Sequence, residues 1–185
     1  MLFKDHPEIS GRHAFLSPSS PAWLNYDEQK LEARFSASMG ARKGTRLHAL
    51  AHNAIELGVP LAKANKALAT YVNDAIKYKM LCEQPLVYSG NCFGTADTIS
   101  FSRRKLRVHD LKTGILKTSE KQLEVYAALF CLEYGISPFD IEIELRIYQR
   151  EEVRPYFPEP ETIMWIMDRI IVHDQHLETI KEDSW

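Results

Sequence analysis

The chain has 185 residues, of which 45% are hydrophobic and 26% charged, and its formal net charge is −2 at pH 7. This length predicts one well-buried core and is short for two, so we expect a single domain over residues 1–185. Charged residues interrupt every apolar run well before about 18 residues, which excludes a transmembrane helix. The first residues also lack the apolar run of a signal peptide, so we expect a cytoplasmic protein.

Helices are predicted throughout residues 1–80, which would form an N-terminal helical part. A serine directly before Pro21 is the usual N-cap and first-turn pair of a helix, and Gly58 is typical of the residue after a helix end. Together with the apolar spacing between them, these signals predict helices over residues 19–35, 38–57 and 60–78.

Residues 81–150 change to strand patterns and are predicted to hold the core of the fold. Apolar runs separated by turn sequences predict three strands, over residues 81–89, 92–101 and 105–112. Ser119 then predicts the start of a helix that runs to Glu133 and is closed by Gly135. Residues 139–149 alternate between apolar and polar side chains, which predicts a fourth strand with one solvated face.

The C-terminal part, residues 151–185, is predicted to hold a proline-rich loop at 154–160 and a last helix over about 161–181. The resulting element order of the core is α-β-β-β-α-β. Strand runs interrupted by a helix favour an α/β fold in which a central mixed β-sheet is flanked by helices.

The third predicted strand places a carboxylate and an ammonium on one face. Asp110 and Lys112 are two residues apart on extended chain, so their side chains share a face while Leu111 points into the packing on the other. Asp97 lies inside the preceding strand, where aspartate has poor β propensity and needs a compensating partner. Carboxylates suit Mg²⁺ or Mn²⁺, and a neighbouring ammonium stabilises charge on a phosphate, so the pattern predicts metal-dependent phosphodiester hydrolysis. The alternative is an exposed ion pair at a strand end.

Two histidines supply further candidate ligands. His48 and His52 are four residues apart on one predicted helix face, so both are candidates for metal binding. A zinc protease of the His-Glu-x-x-His type needs a glutamate where this chain has Ala49, which disfavours that activity. A hydrogen-bonded core histidine remains the alternative for each. Glu83, at the start of the first strand, is a candidate to join through water, with a solvated strand end as the alternative.

Three cysteines, Cys82, Cys92 and Cys131, are scattered without Cys-x-x-Cys spacing, which argues against a zinc ribbon or a disulfide framework. An iron–sulfur cluster normally needs four thiolates, so none is expected.

The negative net charge opposes nucleic-acid binding, because affinity for DNA depends on lysine and arginine at the phosphates. Basic residues are nevertheless concentrated around the candidate site. The predicted nucleic-acid contacts are Arg42, Lys43, Arg46, Arg103, Arg104, Lys117 and Lys121. A solvated hairpin turn is the alternative for Arg103, Arg104 and Lys105.

Taken in chain order, Asp97, then Asp110-Leu111-Lys112, then Gln122 followed by Tyr126 resemble the signature of the PD-(D/E)XK nucleases. The resemblance is to the RecB-like branch, which also holds the phage lambda-type exonucleases. Residues 44–48 resemble the segment of RecB-like members in which a glycine precedes a metal-binding histidine.

Residues 16–24 are similar to the serine-rich, Trp-containing opening of phage and prophage relatives, so the resemblance extends over residues 16–150. Tyr26 stands where many of those relatives have a cysteine, which removes one reason to expect an iron–sulfur cluster.

The resemblance implies a restriction-endonuclease-like core and a metal-dependent DNA exonuclease of phage or prophage recombination or repair, in the host cytoplasm if phage-encoded. The implied ligands of one or two Mg²⁺ or Mn²⁺ ions are His48, Asp97, Asp110 and the Leu111 carbonyl. The implied catalytic residues are Asp97, Asp110, Lys112, Gln122 and Tyr126. The expected partner is DNA, with linear ends as the favoured substrate. A second copy of the chain, in a homo-oligomer, and a recombination protein are further candidate partners. Two alternatives remain open: a catalytically idle nuclease-like module that binds DNA or a protein, and a structure-specific endonuclease.

Overall fold

A computed structural model describes residues 24–62, 66–114 and 119–183, with side chains outside residues 39–43. Contacts along the chain divide it into two compact units, Met1–Thr45 and Arg46–Trp185. The helices are α1 (Glu28–Glu56), α2 (Lys66–Lys77), α3 (Lys121–Tyr134) and α4 (Pro160–Asp183). The strands are β1 (Leu81–Ser89), β2 (Cys92–Ser102), β3 (Lys105–Lys112), β4 (Glu142–Gln149) and β5 (Glu152–Tyr156).

The five strands form one mixed sheet in the order β1-β2-β3-β4-β5. β3 and β4 are parallel, and every other neighbouring pair is antiparallel. Parallel neighbours need a crossover connection, and α3 lies between β3 and β4 in the chain to provide it. The predicted α/β class with a mixed sheet flanked by helices is therefore confirmed, as are the predicted strands at residues 81–89 and 105–112.

Each face of the sheet buries its own apolar cluster. The cluster under α3 and α4 includes Leu106, Leu123, Leu145 and Ile163. The cluster on the side of α2 and the C-terminal part of α1 includes Ala51, Val72, Leu111 and Tyr148. None of the helices in residues 24–62, 66–114 and 119–183 is long and apolar enough to cross a membrane.

The predicted break between a first and a second helix is wrong. α1 is continuous from Glu28 to Glu56, because the Ser38 hydroxyl donates a 2.9 Å hydrogen bond back to the Phe35 carbonyl and so stays within the helix as an ordinary interior serine. The N-terminal end of α1 is set by Asp27, whose side chain accepts a 2.8 Å hydrogen bond from the Lys30 amide. The predicted start at Ser19 or Ser20 lies outside the described residues.

Two further boundaries differ from the prediction. α2 does not begin at Pro60, because the Asn73 side chain accepts from the Leu61 amide at 2.9 Å and donates to the Leu61 carbonyl at 3.1 Å. Both backbone groups of Leu61 are thereby occupied outside a helix. The predicted loop at 154–160 is also wrong in its first part, since residues 152–156 pair with β4 as an edge strand, the position in which a sheet accepts Pro155.

Candidate active site

One face of β3 changes from apolar to charged along its length. Leu106 and Val108 on this face are buried in the cluster under α3, and Asp110 and Lys112 continue the same row towards the end of the strand. Lys112 Nζ lies 2.9 Å from Asp110 Oδ1, and Asp110 is only 3% exposed. Leu111 is buried in the cluster on the opposite face. The strand therefore presents the carboxylate and the ammonium together, as their spacing predicts.

Strand pairing brings the second carboxylate to the same place. β2 and β3 are antiparallel with Thr98 opposite His109, and extending that register by one residue sets Asp97 opposite Asp110. Directly opposed side chains of antiparallel strands share a face. Asp97 Oδ2 accepts a 3.2 Å hydrogen bond from the Leu111 amide, which orients this carboxylate towards β3.

His48 reaches the same carboxylate from α1. Its Nδ1 atom lies 3.7 Å from Asp97 Oδ2, and its side chain is 39% exposed. His48 and Asp97 are thus close together, and strand register sets Asp110 next to Asp97, although the three residues are widely separated in the chain. The ligand atoms of all three do not lie within 4.8 Å of one another.

The positive charge near Asp110 offsets only part of the unfavourable effect of burial and of the neighbouring Asp97. Burial raises the pKa of Asp110, the charge of Asp97 raises it further, and Lys112 and His48 offset these effects only in part. The Oδ2 atom of Asp110 is buried and has no hydrogen-bond partner among the described residues. A buried carboxylate oxygen without a partner is costly unless a cation or donor satisfies it. Carboxylate oxygens are donors of the kind that Mg²⁺ and Mn²⁺ bind.

Two side chains of α3 hold the lysine. Lys112 Nζ donates a 2.9 Å hydrogen bond to Gln122 Oε1, and Gln122 Nε2 donates to the Tyr126 hydroxyl at 3.4 Å. Tyr126 lies directly over Gly94 of β2, where an added Cβ would stand only 2.9 Å from Tyr126 Cε1. Sequence analysis missed this role of Gly94, for which the glycine inside a predicted strand was the available signal.

A small cleft opens beside Asp97, with room for about 20 Å³. It is lined by His48, His52, Tyr71, Cys82, Glu83 and Asp97. Sequence analysis did not identify Tyr71, because a tyrosine on the apolar face of a helix normally belongs to the core. Here it lines the cleft beside Asp97, and burial raises the pKa of the phenol.

His52 does not join His48 at Asp97. Its Nδ1 atom instead lies 4.0 Å from Glu83 Oε2, so the two histidines of α1 face different carboxylates.

The predicted DNA-contacting residues are not all near the cluster. Arg103 and Arg104 form the turn before β3, and Arg104 is about 20 Å from Asp110 at 3.3 Å per residue. Arg104 donates to the Asp140 carbonyl at 2.8 Å. Lys121 pairs with Glu124 at 2.8 Å, one residue from Gln122. Arg46 is exposed on α1 near His48. The remaining predicted contacts lie outside the described side chains: Arg42, Lys43 and Lys117.

No protein-family model matches this chain, and no curated protein matches it. The structure by itself defines an α/β protein whose five-stranded mixed sheet carries an acidic cluster at the end of β3. Within that cluster a buried carboxylate is paired with a lysine, which donates to a side-chain amide of α3, and that amide donates to a phenol of the same helix.

Proposed function

We propose that this protein is a Mg²⁺- or Mn²⁺-dependent deoxyribonuclease with a restriction-endonuclease-like core, of the RecB-like PD-(D/E)XK type. The observation that carries the proposal is the buried Asp110, with Lys112 2.9 Å away and Asp97 at the opposed position of β2. A carboxylate pair can hold a metal ion and an adjacent lysine can stabilise charge on a phosphate, which together suit metal-assisted phosphodiester hydrolysis. The parallel pair β3 and β4, with α3 between them, agrees with the core order of that fold.

The metal would be held by His48, Asp97 and Asp110, with the Leu111 carbonyl as a further oxygen donor. When bound there, Mg²⁺ or Mn²⁺ supplies Lewis-acid polarisation of the phosphodiester and an acidified water. The partnerless Asp110 Oδ2 atom and the surplus of negative charge beside it support this placement.

Lys112 is the group that would act on the phosphate. An ammonium has three donors, and two of them are used by Asp110 Oδ1 and Gln122 Oε1, which leaves one for a phosphate oxygen. Because both partners are themselves fixed in the fold, the third donor is held in a defined direction. Its charge then stabilises the negative charge that develops on the phosphate in the transition state.

Gln122 and Tyr126 position this lysine from α3. Gln122 accepts from Lys112 and donates to Tyr126, and Gly94 lets the tyrosine ring approach β2 closely. We further propose that the substrate is linear DNA attacked from its ends, in phage or prophage recombination or repair.

Digestion of end-labelled linear DNA and of closed circular DNA tests the proposal. The protein is incubated with Mg²⁺, with Mn²⁺ and with a chelator, and we expect degradation of the linear DNA only with a divalent metal. Lys112→Ala protein is purified in parallel as a control for contaminating nucleases, and Lys66→Ala, an exposed lysine on α2, is the matched control. Cleavage with chelator present would overturn the mechanism, cleavage of the circle would make the protein an endonuclease, and no cleavage would favour the idle binding module.

A further inference from the structure

A second group of metal-ligating side chains lies beside the proposed nuclease site. Ligand atoms of His52, Glu56 and Cys82 all lie within 4.8 Å of one another. His52 and Glu56 are one turn apart on α1 and so share a helix face, while Cys82 comes from β1. The Nδ1 atom of His52 is buried without a hydrogen-bond partner among the described residues.

The backbone of β1 is distorted at this point in a way that gathers ligands. Glu83 has a φ of +48°, a left-handed conformation that residues other than glycine rarely adopt. Regular alternation would send Cys82 and Glu83 to opposite faces of the sheet. Both instead line the cleft that also contains His52, and Glu83 Oε2 lies 4.0 Å from His52 Nδ1. Strained backbone of this kind is concentrated at functional sites, and here it presents two adjacent residues to one cavity.

Negative charge surrounds the thiol. Burial, together with the negative charges of Glu56, Glu83 and Asp97, raises the pKa of the Cys82 thiol to about 11. A cation bound among these groups would satisfy the His52 nitrogen and compensate the carboxylates at once. The donor set of imidazole nitrogen, carboxylate oxygen and thiolate sulfur is the one that Zn²⁺ prefers, whereas Mg²⁺ avoids sulfur.

We propose that His52, Glu56 and Cys82, with Glu83 as a fourth donor, form a binding site for Zn²⁺ or a similar transition metal. Binding breaks the S–H bond of Cys82, releases its proton to solvent and forms a metal–sulfur bond, with no change of oxidation state. The site joins α1 to β1. Because His48 lies one turn before His52 on the same helix, metal bound here fixes the helix that presents His48 to Asp97.

Cobalt binding to the full chain tests the site, because a thiolate–Co²⁺ bond gives a charge-transfer absorption band in the near ultraviolet. We expect one equivalent of Co²⁺ to produce the band, Zn²⁺ to remove it by displacement, and excess Mg²⁺ to leave it unchanged. Cys82→Ser should abolish the band, whereas the matched control Cys92→Ser should keep it. Absence of the band in the unaltered protein, its persistence in Cys82→Ser or its loss in Cys92→Ser would each overturn the proposal.

Glu56→Gln is a second variant that is safe for folding, because Glu56 is exposed at the end of α1. We expect Co²⁺ affinity to fall on the order of 10–100-fold with an unchanged circular dichroism spectrum, and unchanged affinity would remove Glu56 from the site. Asp110→Asn should retain the band, since Asp110 belongs to the other cluster. A protein with the band that cuts no DNA upholds this site and refutes the nuclease proposal, whereas a protein that cuts DNA without the band refutes only this site.

Discussion

Asp110 on β3 and Glu144 on β4 are equally buried carboxylates on neighbouring strands, each 3% exposed, yet their surroundings are opposite. Glu144 contacts Lys105 at 3.0 Å and Arg107 at 3.5 Å, and it also pairs with Arg146. Although burial raises the pKa of Glu144, the Lys105 hydrogen bond and the charges of Arg146 and Lys105 lower it below its ordinary value. Asp110 has one lysine and a second carboxylate beside it, and its pKa is raised.

The ion-pair network around Glu144 extends to α2 and to Tyr148. Arg146 pairs with Asp74 of α2 at 2.8 Å, and the Tyr148 hydroxyl donates to the same carboxylate at 2.7 Å. Burial, with the charges of Arg146 and Arg107, lowers the pKa of His109 to about 3, so this histidine stays neutral in the core. Glu144 therefore belongs to a neutralised network that connects helix to sheet. Asp110 lacks such compensation, and that deficit distinguishes a candidate cation site from a structural ion pair.

The largest expected effect is on DNA cleavage, and it distinguishes the role of Lys112 from that of Asp110. Lys112→Ala should keep metal and DNA binding but lose on the order of 10²–10³ in cleavage rate, because it removes one electrostatic contact to the transition state. Asp110→Asn should lose the metal as well, because an amide oxygen replaces a charged ligand poorly. Mn²⁺ affinity and single-turnover cleavage are measured side by side for both proteins.

Circular dichroism is the folding control for this pair. A Lys112→Ala protein that cuts DNA at nearly the unaltered rate would remove the lysine from the mechanism, and with it the strongest support for the nuclease proposal.

The next largest effect is on the free energy of unfolding, and it tests the difference between Glu144 and Asp110 directly. In the presence of chelator, Glu144→Gln should lower the free energy of unfolding by on the order of 3 kcal/mol, because it leaves Lys105, Arg107 and Arg146 without their shared carboxylate. Asp110→Asn should cost nothing or stabilise the metal-free protein, because it removes a buried charge that is in excess. Urea unfolding of both variants measures the difference, and equal losses would contradict the distinction between the two carboxylates.

A smaller effect tests which histidine completes the cluster of Asp110. His48→Ala should weaken Mn²⁺ binding by on the order of tenfold, because His48 lies 3.7 Å from Asp97. His52→Ala should weaken it less, since His52 faces Glu83 instead. Calorimetric titration with Mn²⁺ compares the affinities of the two variants. A larger loss of affinity in His52→Ala would contradict the placement of the cation beside His48.

The smallest expected effect is the pH dependence of metal-free stability. The folded pKa of Glu144 is lowered, so its stabilisation is present above the ordinary value of 4.5 and is lost as the pH falls through the folded pKa. The folded pKa of Asp110 is raised, so its contribution is complete below 3.8 and is lost as the pH rises through the folded pKa.

Across the acidic-to-neutral pH range the two carboxylates thus contribute slopes of opposite sign: the Glu144 slope lies below 4.5 and the Asp110 slope lies above 3.8. The free energy of unfolding is measured across this range for both variants. Glu144→Gln should remove the contribution that rises with pH, and Asp110→Asn should remove the contribution that falls with pH. Identical pH profiles for the two variants would contradict the opposite pKa shifts.

Local features of the sequence determined much of the sheet and part of the site. Strands 81–89 and 105–112 were predictable because turn residues bracket them, and the shared face of Asp110 and Lys112 follows from the two-residue period of extended chain. The same local rules failed at two helix boundaries. Ser38 resembles a helix start but bonds back into α1, and Leu61 is held outside α2 by Asn73.

Only the tertiary structure decided which residues meet. Strand register sets Asp97 opposite Asp110, and no local signal specifies register between separate strands. The left-handed backbone at Glu83 places it beside Cys82 in one cleft, against the alternation that the sequence predicts. The difference between Asp110 and Glu144 is also tertiary, because a pKa depends on burial and on charges that distant parts of the chain bring close.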